Sequence, residues 1–251
     1  MIENNSNWKE KARKSVKYLT LIAMLIFLIS VSIVESVPSA PIITYVSNTT
    51  YTSGIVNRSQ DAKGTITTVT LASTQQDYKW KAYVGNVSGT LALSDVNGKA
   101  IYDWSSGTAT GEIYVSRFSN INWGNIACAL QVTIDNEQTG IGMATGVKDN
   151  INATFNATNH FTFLVGVTSM SNCRSTATYI NGAAQTMGAG ASFQEVLLRD
   201  TGTGNMVYAG LINASTVGYQ GGTNRNDFQI IIGENESAST PTPYYFWVEL
   251  G

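Results

Sequence analysis

Residues 193–212 read FQEVLLRDTGTGNMVYAGLI. Phe193 to Arg199 and Met206 to Ile212 are runs rich in β-branched, aromatic and aliphatic residues, and Thr201-Gly202-Thr203-Gly204 between them supplies turn chemistry. The stretch is a strand–turn–strand unit, and its period sets the reading of the rest. Phe161, Phe163, Val165 and Val167 alternate with His160, Thr162, Leu164 and Gly166. Asp227 to Ile232, Tyr244 to Leu250 and Glu112 to Phe118 continue the set, as do Thr65 to Leu71 and Tyr78 to Val84. Thr90 to Ser94 joins Ala100 to Trp104 across Asn97-Gly98, the strongest two-residue hairpin signal in the chain. Leu130, Val132 and Ile134, alternating with Gln131, Thr133 and Asp135, read as a half-buried strand, and Ile121 to Ala129 as a short helical turn before it. No amphipathic helical pattern of ten or more residues occurs outside the N-terminal region, and the chain holds 23 glycines. The expected fold is all-β: a single β-sandwich or layered antiparallel sheet of ten or more strands behind an N-terminal hydrophobic helix. Gly182 to Gly190 reads as a surface loop.

The N-terminal region supplies the location. Tyr18 to Val34 (YLTLIAMLIFLISVSIV) is seventeen residues without a charge. It is preceded by Lys9, Lys11, Arg13, Lys14 and Lys17 against Glu3 and Glu10, a flank of 5 − 2 = +3. A basic flank stays cytoplasmic, so the remainder is read as exported. Seventeen residues lie between a signal-peptide core and the roughly 20 that a spanning helix needs, so two versions stand. In one, a signal peptide is cleaved near Ser39 or Ala40; in the other, the segment is an uncleaved anchor. The chain divides accordingly into 1–40, flank plus signal or anchor; 41–64, a strand candidate from Pro41 to Val46 followed by a polar lead; and 65–251, the β ectodomain.

Residues 41–251 hold 15 − 5 = 10 Lys or Arg and 17 − 3 = 14 Asp or Glu, a net charge of −4, with the basic residues scattered. Nucleic acid, which demands a basic patch, is excluded as a partner. Cys128 and Cys173 are an even pair without metal spacing, and in an oxidising exterior they are expected to form a disulfide. Seven Asn-X-Ser/Thr sequons, at Asn48, Asn57, Asn86, Asn152, Asn156, Asn213 and Asn235, are candidate glycosylation sites.

A catalytic set is not legible. The chain has one histidine, His160, and no Gly-X-Ser-X-Gly elbow. Asp95, Asp103, Glu112, Asp135, Glu137, Asp149, Glu195 and Asp200 read as single, solvated carboxylates at turns and strand ends. Asp135-Asn136-Glu137 lacks the alternating ligands of a calcium loop. No enzyme activity, metal or cofactor is expected. Trp80, Tyr83, Tyr102, Trp104, Tyr114 and Trp123, with Tyr244 to Trp247, read mainly as core and cross-strand pairs; an exposed row of them would suit glycan stacking.

Residues 80–89 (WKAYVGNVSG), Tyr102-Asp103-Trp104, Gly111 to Val115, Phe193 to Leu198, Asp227-Phe228-Gln229 and Tyr244 to Leu250 together resemble a group of exported archaeal cell-surface proteins, mostly without assigned function. The resemblance implies location and brings no site residues. In outline the chain is also similar to archaeal filament subunits that insert an N-terminal strand into the next subunit. Pro41, Ile42, Ile43, Thr44, Tyr45 and Val46 would be that donor strand. The expected function is a structural subunit of an extracellular filament or surface layer, with copies of itself or other surface proteins as partners. The alternative is a carbohydrate-binding or adhesive module, ahead of a type IV pilin-like subunit or a hydrolase of surface polymers.

Overall fold

The computed structural model describes residues 38–49, 80–89, 91–94, 97, 99–104, 110–234 and 242–250. They belong to the compact unit Ser36–Gly251; the other unit, Met1–Glu35, lies outside them, and with it the hydrophobic segment Tyr18 to Val34. The strand expected over Thr65 to Leu71 and the sequons at Asn57 and Asn235 also lie outside the described residues.

The strand–turn–strand unit is the centre of the molecule. Strands β9 (Gln194–Asp200) and β10 (Met206–Leu211) pair antiparallel with Leu197 opposite Tyr208. Around them, strand order runs β14 (Tyr245–Leu250), β4 (Gly111–Ser116), β10, β9 and β5 (Ile126–Cys128), while β8 (Ser175–Ala177) also pairs with β9. Every described pairing is antiparallel, and fourteen strands occur among the described residues.

Period two divides this sheet's side chains into two dry faces. Ile113, Val115, Leu197, Met206 and Tyr208 lie on one, packed with Ile134, Ile141, Ile151 and Phe155 and with Ile230 and Ile232. The covering elements there are α1 (Gln131–Gly140), α2 (Ile151–Thr154) and β13 (Phe228–Gly233), which pairs with β1 (Trp80–Gly85). Tyr114, Val196, Leu198, Val207 and Ala209 lie on the other face, beneath Phe163, Val165 and Met170. These come from the hairpin of β6 (Phe163–Val165) and β7 (Thr168–Met170). The antiparallel, mostly β architecture agrees with expectation. The central sheet is covered on one face by the helices and the β1–β13 pair and on the other by the β6–β7 hairpin, which explains why both parities of β9 and β10 are apolar.

Three local expectations are corrected. Residues 131–140 form a helix, not a strand. Its buried residues are Thr133, Ile134, Glu137 and Gln138, a helical stripe that is mostly polar, whereas Leu130 and Val132 point to solvent. The alternation of Leu130, Val132 and Ile134 was therefore coincidental, and the helix was concealed by hydrogen-bonding residues on its inner face. The region expected as a helical turn is one 3-10 turn, Trp123–Asn125, followed by β5. The run Phe161 to Val167 is broken into a hairpin at Gly166, which takes a left-handed φ of 55°. Strands β2 (Leu91–Ser94) and β3 (Ala100–Trp104) pair antiparallel as expected, with Leu93 opposite Tyr102. The last two, β11 (Thr216–Val217) and β12 (Arg225–Asn226), form a small separate pair.

Candidate assembly edge

The edge strand β14 brings together the N-terminal segment and an unusual carboxylate pair. On its outer side, the Ser39 N–H donates to Val248 O at 3.0 Å and the Val248 N–H donates to Ser39 O at 2.8 Å. This is an antiparallel bridge, Ser39 opposite Val248, so continuing the ladder would set residue 41 opposite Phe246. Residue 41 is proline, which has no N–H to give. Pairing ends after one bridge. Pro41 to Val46 is accordingly not a strand here, which corrects the sequence expectation. Beyond Pro41 the chain exposes Ile42 (98%), Ile43 (66%), Tyr45 (73%) and Val46 (88%) to solvent. Isolated exposed apolar residues need no explanation, but four within five positions do.

On its inner side β14 pairs with β4, placing Glu249 opposite Glu112 and Trp247 opposite Tyr114. Directly opposed residues share a face, so the two carboxylates are neighbours. Both are buried, at 8% and 7% exposure. The Tyr114 hydroxyl donates to Glu249 Oε2 at 2.8 Å, and the Gly166 N–H from the β6–β7 turn donates to Glu249 Oε1 at 2.9 Å. Trp123 closes the flank, its ring 5.0 Å from Tyr114 and 5.2 Å from Trp247 between centroids. Burial first, then the neighbouring Glu249 charge, push the Glu112 carboxyl up to about 8, against the opposing effect of the nearby Tyr114 hydroxyl. The same burial and charges hold the Tyr114 hydroxyl far above its ordinary range, as a donor.

The expectation that Glu112, Glu137, Glu195 and Asp200 are solvated is overturned, since all four are buried. Glu137 takes a two-pronged bond from Arg117, with both contacts at 2.8 Å. Glu195 Oε2 accepts the Ile231 N–H at 2.8 Å, so a side chain occupies one amide on the outer edge of β13. Complete burial raises the Glu195 carboxyl well above the usual range. Burial acts upward on Asp200 as well, but N–H groups of Asn122, Gly202 and Thr203 outweigh it and hold that carboxyl low. Asp135 is engaged at the surface by Gln131, away from the Arg117–Glu137 pair, so the residues of Asp135-Asn136-Glu137 do not converge. Among the described residues no group of three metal-ligating side chains gathers, and no helix is long and apolar enough to cross a membrane.

Cys128 and Cys173 are joined in a disulfide. Its position has a reason: β5 and β8 lie end to end on the same side of β9, and the break between them falls at Leu197. The Leu197 N–H donates to Arg174 O, and Leu197 O accepts from the Ala129 N–H. The disulfide ties the two half-strands across that break. His160 stands beside it, 6% exposed, with its ring nitrogens bonded to Phe161 O and the Cys173 N–H.

The described sequons separate by environment. Asn48, Asn86 and Asn156 are exposed. Asn213 is half-buried, with its Oδ1 accepting from the Thr216 hydroxyl. Asn152 lies inside α2 with its Oδ1 buried, and the sequon hydroxyl of Thr154 is bonded back to Asn150 O. Of the aromatics, Tyr114 and Trp247 are buried, while Trp80, Tyr83, Trp123, Tyr244 and Phe246 pack against the core; Tyr102 and Tyr245 are exposed. Glu249 and its pairing with Glu112 escaped sequence reasoning. The available signal was parity: Glu112 keeps step with Tyr114, and Glu249 with Trp247. Comparison with protein-family models, curated proteins and solved structures returns no match for this chain.

Proposed function

We propose that this chain is an exported structural protein of the cell surface that assembles with further copies of itself by strand addition. The observation that carries this reading is the segment 42–46. It is apolar and β-prone, stands exposed, and leaves the edge strand β14 where Pro41 prevents pairing within the same molecule. A strand from a second copy is free of that register, and can meet the backbone of β14 around Phe246 without a proline opposite it. The disulfide suits an oxidising exterior. The Ser39–Val248 bridge favours the version in which Ser39 stays with the folded body, either behind an uncleaved anchor or after cleavage upstream of Ser39.

The test pairs N-terminal sequencing of the native chain with electron microscopy and sedimentation of purified material. Wild-type protein is expected to form assemblies, and Ile43→Asp with Tyr45→Asp to remain monomeric with unchanged melting temperature, because both side chains are already exposed. A wild type that stays monomeric at every concentration, or a double variant that assembles equally well, would sink the proposal.

A further inference from the structure

The Glu112–Glu249 pair sits beneath the one strand that holds Ser39 and directs the N-terminal segment. Its parts are set by the fold: register partners on adjacent strands, both more than nine-tenths buried, with Cα atoms about 5.5 Å apart for a hydrogen-bonded antiparallel pair. Two carboxylates so placed in a dry site do not both ionise readily, since each charge loses hydration and repels the other. The groups that meet them include the Tyr114 hydroxyl from β4, the Gly166 amide from the β6–β7 turn and the Trp123 ring from the 3-10 turn, with Trp247 alongside on β14. Tyrosine and amide both donate to carboxylate, which fits one charged and one protonated carboxyl.

We infer that Glu112 and Glu249 form a proton-operated latch on β14: while they hold a proton between them the edge strand is clamped to β4, and losing it loosens the edge and the N-terminal segment attached at Ser39. As a control on assembly this rests on the reading under "Proposed function"; as a property of the edge strand it stands on the geometry alone. The raised Glu112 value agrees in direction. A carboxyl raised in the folded state stabilises most below its unfolded value of 4.5, and that contribution is lost as pH climbs to about 8. Glu195, on the opposite face, acts in the same direction, so a global melt would not isolate the pair.

Hydrogen exchange of the purified full chain, read on the β14 peptide and corrected for intrinsic rates, isolates it, with the β9 peptide as internal reference. Between pH 6 and 8.5, wild-type β14 is expected to lose roughly tenfold to a hundredfold in protection relative to β9. Glu112→Gln, which mimics the protonated form, is expected to abolish that difference. Glu249→Gln should do the same and serves if the first variant fails to fold. Equal loss of protection in β14 and β9, or identical pH profiles for wild type and both variants, would overturn the latch. Sedimentation over the same range reports on assembly separately. Dissolution of wild-type assemblies toward pH 8.5, with Glu112→Gln assemblies persisting, is expected; absence of assemblies at every pH would defeat the functional reading and leave the exchange result to decide the latch.

Discussion

His160 uses both ring nitrogens in the fold. Nδ1 lies 2.7 Å from Phe161 O and must donate, so Nε2 is left to accept the Cys173 N–H at 2.9 Å. That division requires a neutral ring. Burial pushes the imidazole below its ordinary value of 6.5, opposed by the Phe161 carbonyl. The unfolded chain therefore takes up this proton first, and the contribution present above pH 6.5 is lost as pH falls through the lower folded value. Denaturant titrations should show wild-type stability declining on this acid limb, with the decline reduced in His160→Gln. At neutral pH the same variant should cost about 1–3 kcal/mol if the buried Cys173 amide loses its acceptor. The acid limb of His160 and the rising-pH losses from Glu112 and Glu195 run in opposite directions.

At the scale of elements, the side of β9 away from β10 is the weak place. It carries two three-residue strands in series, each too short to hold register unaided, and their junction is bridged by Cys128–Cys173. The bond closes a separation of 45 residues, which on a chain-entropy argument stabilises by about 4 kcal/mol. Cys128→Ala with Cys173→Ala should lower the unfolding free energy by roughly that amount, and reductant should reproduce the shift in the wild type. Amide exchange in this variant should accelerate first in β5 and β8 and leave β10, shielded between β4 and β9, least changed. A uniform increase across the sheet would argue against a local staple.

For the whole molecule, the sheet's two sides are finished differently. One is closed covalently by the disulfide; the other, β14, is met among the described residues by a single bridge and then released at Pro41. Pro41→Ala restores the missing N–H and allows pairing with Phe246 in the same molecule. That variant should gain exchange protection around Phe246 and assemble less readily than the wild type, as judged by sedimentation. Unchanged protection together with unchanged assembly would show that proline does not control the edge.

Sequence by itself determined the strands β4, β9, β10 and β14 of the central sheet, the antiparallel pair β2–β3 and the pairing of Cys128 with Cys173, because each depends on local spacing or on a count of two. It also marked 41–46 as β-prone, yet composition cannot show that a single bridge at Ser39 fixes a register in which Pro41 blocks the next. Helix α1 was illegible because its inner stripe buries Thr133, Glu137 and Gln138, whose cost is met by partners distant in the chain: Arg117 bonds Glu137, and the Asn152 N–H donates to Gln138. The pairing of Glu112 with Glu249, 137 residues apart in the chain, likewise exists only through the β4–β14 register. Burial and register are properties of the assembled sheet, and they turn two ordinary surface-type residues into a coupled pair.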